Sequence, residues 1–213
     1  HRMTVGEIAQ LLKETYYPGL ALTVVWMQRW WRDSLWPETG LPWVLPSPNM
    51  PTADTAQVYP GMVLLEATTV SEGRGTTRPF ELFGAPGIDT NRCASIIASH
   101  NLPGCLFREH DFVPTFQKWC GQYCRGMQIH VTEPRVYRPV RTAAAVCDAA
   151  MRCADGACAF TPPPYEYEKE KMPFDILAGD SRMRECIENQ GSIMEFCDGI
   201  DEELQQFAEL FEA

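Results

Sequence analysis

Between residues 36 and 60 the chain carries six prolines: Pro37, Pro42, Pro46, Pro48, Pro51 and Pro60. Proline lacks a backbone N–H and fixes φ, so no continuous helix or central strand crosses this stretch. Nor is it a disordered linker, because Trp36, Leu41, Trp43, Val44 and Leu45 offer too much apolar surface. It reads as an ordered, wrapped loop, and long ordered loops are disproportionately functional.

The flanking residues divide into recognisable elements. Thr4 and Glu7 have the spacing of a capping box, Met3 and Ile8 that of its hydrophobic staple, and Val5, Ile8, Ala9 and Leu12 continue at helical spacing. Pro18-Gly19 ends that helix, and 20–27 then reads as a buried strand. Residues 28–35 read as a short helical or irregular turn, and 62–70 as the next strand. A helix is expected over 89–99, capped by Asp89 or Thr90, with strands at 105–111 and 127–132. Pro139 suits a first helical turn, so 140–152 forms an alanine-rich helix that closes before Asp155-Gly156. Pro162, Pro163 and Pro164 form a rigid connector. The tail, 165–213, is expected to be helical, with Ser181 and Ser192 as caps and an apolar face of Ile200, Leu204, Phe207 and Phe211.

Composition excludes some partners. The 213 residues carry a net charge of −10, which repels a phosphate backbone, and Arg135, Arg138 and Arg141 are too dispersed for a nucleic-acid footprint. No apolar run approaches the roughly 18 residues that a membrane span needs. The chain opens on His1-Arg2-Met3 and runs straight into a helix signal, so it reads as an internal fragment whose N-terminus says nothing of localisation. There are nine cysteines. Cys120 and Cys124 with His130 match zinc spacing poorly, so no metal site is expected, and most of the thiols read as small buried hydrophobes. A Cys120–Cys124 disulfide stays open for an exported chain.

The most unusual stretch is 71–81, Ser-Glu-Gly-Arg-Gly-Thr-Thr-Arg-Pro-Phe-Glu. Gly73 and Gly75 permit positive φ, which lets successive N–H groups converge into an anion-holding nest. Arg74 and Arg78 bring planar donors suited to a carboxylate, and Ser71, Thr76 and Thr77 bring hydroxyls suited to sugar or amide groups. The loop matches neither a Walker sequence nor a dinucleotide fingerprint, so no cofactor is expected. Two readings of it stand side by side. Either the loop binds a ligand, or Glu72, Arg74, Arg78 and Glu81 pair with one another and pin a connection.

Other polar candidates surround it. His130 lies on a strand, pointing opposite to Ile129 and Val131. Glu66 reads either as a buried carboxylate paired with an arginine or as the point where a strand emerges into solvent. Tyr165 and Tyr167 offer stacking surface to a sugar. Trp43 beside Asn49, in the turn 47–51, joins an aromatic platform to an amide, a common pairing in sugar recognition.

Several stretches together resemble one family. They are Gly40-Leu41-Pro42-Trp43-Val44, Ser47-Pro48-Asn49-Met50-Pro51-Thr52, Val58-Tyr59-Pro60-Gly61, the loop 71–81 and Phe83-Gly84-Ala85-Pro86. Downstream follow Pro114-Thr115-Phe116, Gln128-Ile129-His130-Val131-Thr132, Arg138-Pro139 and 162–168. The ordered series is similar to the exo-β-N-acetylmuramidases, formerly catalogued as a domain of unknown function. Locally the chain departs from the family, with Ala67, Thr69 and Gly87 at positions where glycine, asparagine and an aromatic residue are usual.

The resemblance implies an enzyme family that releases terminal N-acetylmuramic acid from peptidoglycan fragments, in a cleft between a Rossmann-like N-terminal domain and a smaller C-terminal domain. It assigns 1–213 to the C-terminal domain. That domain is expected to be α+β, with a mixed or antiparallel β-barrel-like sheet surrounded by helices. The family's catalytic glutamate belongs to a Glu-His-Gly motif that is absent here, so the chain alone is expected to be inactive and to need the N-terminal domain as partner. An extracytoplasmic location is also implied. In this reading Glu72 is an auxiliary catalytic carboxylate. Arg74, Arg78, Gly73, Gly75, Thr76, Asn49, Trp43 and His130 bind the muramic-acid substrate. A non-catalytic sugar-binding module and a purely structural domain are the alternatives.

Overall fold

The computed structural model describes residues 3–154, 156 and 158–212, with side-chain surroundings described as far as 207 within the last helix. It divides into two units, one of His1–Pro42 with Ile200–Ala213, the other Trp43–Gly199.

In the smaller unit, helix α1 spans Val5–Tyr16 and starts as its sequence dictates. The Thr4 hydroxyl accepts from the Glu7 amide at 3.3 Å, and the Glu7 carboxylate accepts from the Thr4 amide at 2.6 Å. Arg32 folds back onto the same carboxylate at 2.6 Å, closing residues 28–35 over the start of the helix. The expected buried strand at 20–27 does not form. The segment is irregular, and Val25, Trp26 and Met27 are exposed. A strand needs a neighbour for its N–H and C=O groups, and no ladder to this segment exists among the described residues. The apolar face expected on the tail is also more exposed than its pattern implies, at Leu204 and Phe207; the Phe211 side chain lies outside the described residues.

In the larger unit, the proline-rich stretch is less loop-like than its composition suggests. After a short 3-10 helix at Trp36–Thr39, which belongs to the smaller unit, the chain runs irregularly to Thr52. The Thr52 hydroxyl then accepts from the Thr55 amide at 3.3 Å and starts helix α2, Ala53–Met62. Pro60 falls in the last turn, where it removes the N–H that would bond the Ala56 carbonyl and the helix ends two residues later.

The strand expected at 62–70 is instead a 3-10 helix over Val63–Ala67. Leu64 and Leu65 are both buried, which a two-residue alternation forbids. A short apolar run does not distinguish a buried strand from a buried turn of helix. The apolar sequence was right about burial and silent about geometry.

Three antiparallel strands follow, β1 (Leu82–Ala85), β2 (Cys105–Glu109) and β3 (Arg125–Val131), in the order β1–β3–β2. The sheet is open. A barrel requires its edge strands to pair, and among the described strands β1 and β2 each pair only with β3. Helix α3, Thr90–Ser99, is capped by Asp89, whose carboxylate accepts from the Arg92 amide at 3.1 Å.

The core is organised around α4, Pro139–Cys153, in which every residue from Thr142 to Ala150 is buried. Its alanines let other elements approach closely. At Gly61 of α2, a Cβ would lie 2.0 Å from the Pro139 carbonyl oxygen, so only glycine fits there. The tail adds α5 (Pro173–Ala178), α6 (Arg182–Glu188) and α7 (Ile193–Glu212). Arg184 binds Asp175 through two bonds of 2.7 and 2.8 Å, which fixes α6 against α5. No described helix is long and apolar enough to cross a membrane. All nine cysteines are free thiols, with Cys124 buried and Cys120 exposed, so the disulfide left open for that pair is not formed.

Candidate functional site

The loop 71–81 begins and ends against β1. Ser71 and Gly84 exchange backbone hydrogen bonds of 2.8 and 3.0 Å, and the Phe80 amide donates to the Glu72 carbonyl at 2.6 Å. Gly75, at φ +84°, packs under the loop 114–121, where a Cβ would meet Thr115 and Phe116 backbone atoms at 2.7 to 2.8 Å. Its carbonyl accepts from both the amide and the hydroxyl of Thr115, each at 2.9 Å. The loop is thus stitched at its base and its tip.

The expected anion nest is largely occupied from within. The Gly73 amide donates to the Ser71 hydroxyl at 3.1 Å and the Thr76 amide to the Gly73 carbonyl at 3.2 Å. The Thr76 hydroxyl donates to that carbonyl too, at 2.6 Å. Convergence of N–H groups onto an external anion therefore does not describe these two positions.

Beneath the loop lies a charged cluster. Glu72 is 2% exposed, which makes it a costly place for a carboxylate unless cations compensate it. Lys118 does so at 2.8 Å, donating as well to the Leu65 and Val70 carbonyls at 2.7 and 3.1 Å. Arg74 supplies the second cation, its Nε 3.5 Å from Glu72 Oε1 and its Nη2 bonded to Glu66. The guanidinium lies over the Phe80 ring, 5.2 Å from the centroid. Tyr165 reaches in from the far side, its hydroxyl donating to Glu66 Oε2 at 3.4 Å.

Two carboxylates and two cations thus balance in charge over a small volume. Burial, more than any neighbour, pushes the Glu66 carboxyl above the ordinary glutamate range; Arg74 pulls it back and the Glu72 charge adds to the rise. The Tyr165 phenol is raised by burial first and by Glu66 second.

Arg78 is placed differently. Its guanidinium is 44% exposed and meets Glu81 at 3.3 Å, while Glu81 also accepts from the Thr55 hydroxyl at 2.7 Å. Arg78 and Glu81 line a cleft of about 190 Å³ together with Asp54, Gln128 and His130. Four consecutive residues of β3, Gln128 to Val131, border it, with His130 the most exposed of them and Ile129 buried. On the solvent side Arg108 of β2 donates to Gln128 at 2.9 Å.

The fold therefore brings Glu72, Gly73, Arg74, Gly75 and Thr76 into one charged loop, and Arg78 with His130 into the adjoining cleft. Trp43 and Asn49 belong to a turn of their own, where the Trp43 ring nitrogen donates to the Met50 carbonyl at 3.1 Å. That turn leads to Thr52, whose hydroxyl lies 3.5 Å from Glu81. Sequence reasoning did not single out Lys118. Its only sequence signal is a lone lysine between Gln117 and Trp119, two residues at positive φ, and backbone conformation is not written in residue type.

The arrangement can hold a carboxylate rigidly between two cations, beside an open cleft that Arg78 lines together with Asp54 and Glu81. Glycoside hydrolysis needs a pair of carboxyl groups of differing protonation, and sugar acids need a cationic contact.

Comparison with known proteins adds a second line. The family model described as exo-beta-N-acetylmuramidase NamZ, C-terminal, matches residues 57–213, and the NamZ N-terminal model matches residues 1–54. The two matches meet between 54 and 57, whereas the residue patterns assign all of 1–213 to the C-terminal domain. The peptidoglycan beta-N-acetylmuramidase NamZ of Bacillus subtilis (strain 168) is 40% identical over 208 residues, 98% of this chain and 48% of that protein. The chain thus spans about half the length of the curated relative it matches. A DUF1343 family protein from Bacteroides fragilis NCTC 9343 has a similar structure, with a TM-score of 0.68 and 25% identity over 84% of this chain and 47% of that one. A second DUF1343 protein from the same organism gives a TM-score of 0.50 at 21% identity, covering 76% of this chain and 40% of its own, a likeness of fold alone.

Proposed function

Because the chain belongs to the exo-β-N-acetylmuramidase NamZ family, we propose that it forms the substrate-cleft part of a glycoside hydrolase acting on peptidoglycan fragments that end in N-acetylmuramic acid. The observation that carries this reading is Glu72, a carboxylate 2% exposed and faced by both Lys118 and Arg74. Such a group is held ready for a reaction that develops positive charge at a sugar carbon. Glu72 acts as the auxiliary carboxylate, and the principal acid is supplied by the family's N-terminal domain, the chain's partner in the same protein.

Substrate recognition falls mainly to the cleft. Arg78 is exposed enough to exchange Glu81 for the lactyl carboxylate of muramic acid, and His130 and Gln128 face the same space. Arg74, held by Glu66, places a second positive charge beside the auxiliary carboxylate. Gly73, Gly75 and Thr76 shape the loop, and Asn49 and Trp43 contribute from the turn that leads to Thr52.

Steady-state kinetics of the full-length gene product on a muramic-acid-terminated disaccharide test the assignment. Arg78→Ala is expected to raise KM by about tenfold with kcat little changed, the loss of one charge-assisted contact. Glu72→Gln is expected to lower kcat by about a hundredfold. Unchanged constants in both variants would overturn the reading.

A purely structural domain is the competing view, favoured by the internal pairing of both arginines. It requires the arginines to be sealed from solvent, and the exposure of Arg78 beside an open cleft weighs against it. Calorimetry of the chain alone with muramic acid separates a sugar-binding module from an inert half-site.

A further inference from the structure

Arg74 is the joint of the charged cluster, and its geometry is uneven. Its Nη2 is bonded to Glu66, while its Nε lies 3.5 Å from Glu72, buried and without a hydrogen-bond acceptor. A buried donor left without an acceptor next to a carboxylate calls for an explanation. The contact with Glu72 is too long to hold the guanidinium by itself. What fixes the plane of the group is the Phe80 ring beneath it and Glu66 at its end.

Glu66 is more than a counter-ion by simple charge accounting. Lys118 already compensates Glu72 at 2.8 Å, so Arg74 would be attracted away from Glu72 by any competing anion. Glu66 takes the Nη2 end of Arg74 and leaves its Nε 3.5 Å from Glu72. Its second oxygen is covered by Tyr165, brought in from 99 residues away. Glu66 is 15% exposed at the side chain, so it sits at the rim of the cluster and Glu72 at its floor.

We propose that Glu66 is a positioning residue of this site: by clamping the end of Arg74 it keeps the guanidinium charge beside the Glu72 carboxylate, and Tyr165 holds Glu66 in place. This rests on the reading that Glu72 serves glycoside hydrolysis. The clamp depends on Glu66 being ionised. The groups facing it are Arg74 and Lys118, which favour the charged form, Glu72, which opposes it, and the Tyr165 hydroxyl, which favours it. Since burial raises the Glu66 carboxyl, the clamp releases on acidification at a higher pH than an ordinary glutamate would set.

The test is the pH dependence of kcat for the full-length protein on a muramic-acid-terminated disaccharide. Glu66→Gln keeps the shape and an acceptor for Arg74 but removes the charge. It is expected to lower kcat by about tenfold with KM within about twofold, and to remove the Glu66 step from the acid side of the profile. Tyr165→Phe is the second variant, in case Glu66→Gln folds poorly. It removes a bond that favours ionised Glu66, so the acid-side midpoint moves to higher pH. A wild-type kcat and profile in Glu66→Gln, or an unmoved midpoint in Tyr165→Phe, overturns the clamp. So does a change confined to melting temperature. Glu72→Gln, measured in parallel, separates the failures. If it too is fully active, the catalytic role of Glu72 falls; if it alone is inactive, only the role of Glu66 does.

Discussion

Lys118 and Glu72 meet at 2.8 Å from loops 46 residues apart, and the remaining donors of the ammonium are taken by the Leu65 and Val70 carbonyls. The lysine therefore joins the 3-10 helix, the start of the loop and its buried carboxylate in a single contact. Lys118→Met would leave Glu72 facing only the longer Arg74 contact and two carbonyls without that donor. Breaking one side of a buried pair is expected to cost about 3 kcal/mol. Urea denaturation of the purified chain measures it, as a lower midpoint with an unchanged slope.

Gly61 sets the approach of α2 to α4, with no room for a Cβ 2.0 Å from the Pro139 carbonyl oxygen. Gly61→Ala should destabilise the chain by about 2 kcal/mol, as overpacked positions do, although alanine is the better helix former. A thermal melt decides it. A stabilised variant would show that the two helices can separate freely.

The thiols should differ sharply in reactivity. Burial pushes Cys147 up to about 12 and Cys124 and Cys158 up to about 11, whereas Cys120 is exposed. Only the thiolate alkylates readily. Iodoacetamide at pH 8, followed by peptide mass analysis, is expected to label Cys120 first and Cys147 only on unfolding.

Glu7 carries the clearest acid titration in the smaller unit. The bond from Arg32, then the Thr4 amide, holds its carboxyl down at about 2 from an ordinary 4.5. A depressed carboxyl contributes stability above its unfolded value and loses it as pH falls through the folded one. The window here is from about 4.5 down to about 2. Carbon-detected NMR of the Glu7 carboxyl should place its midpoint near the lower end, and Arg32→Ala should return it towards the upper.

What the sequence made legible was local. The capping box of Thr4 and Glu7, the Asp89 cap, Pro139 at a helix start and the alternation of Met127, Ile129 and Val131 all depend on neighbours within a few residues, and all formed. The loop 71–81 stood out for the same reason, because glycine and arginine at that spacing are unusual in themselves. The failures were contextual. The segment 20–27 has strand-like residues without a strand to pair, and 63–67 has an apolar run that burial alone does not resolve. β1 is four residues long and contains Gly84, so its strand character comes from β3 rather than from its own composition. Lys118 entered the site through a bend, and Tyr165 through the connector after the prolines. Neither path is visible until the chain has folded.

The distances along the chain that this site closes have a kinetic side. Glu66 meets Tyr165 across 99 residues, the Thr69 hydroxyl accepts from the Ala159 amide across 90, and Gly75 meets Thr115 across 40. Contacts of such high order form slowly, because each closes a large loop of chain before it is rewarded. The helix caps should form early in refolding, while the charged cluster around Glu66 and Glu72 is completed last. A chain emerging from the ribosome would not close that cluster until its connector past residue 165 is free, long after α4 has begun to fold.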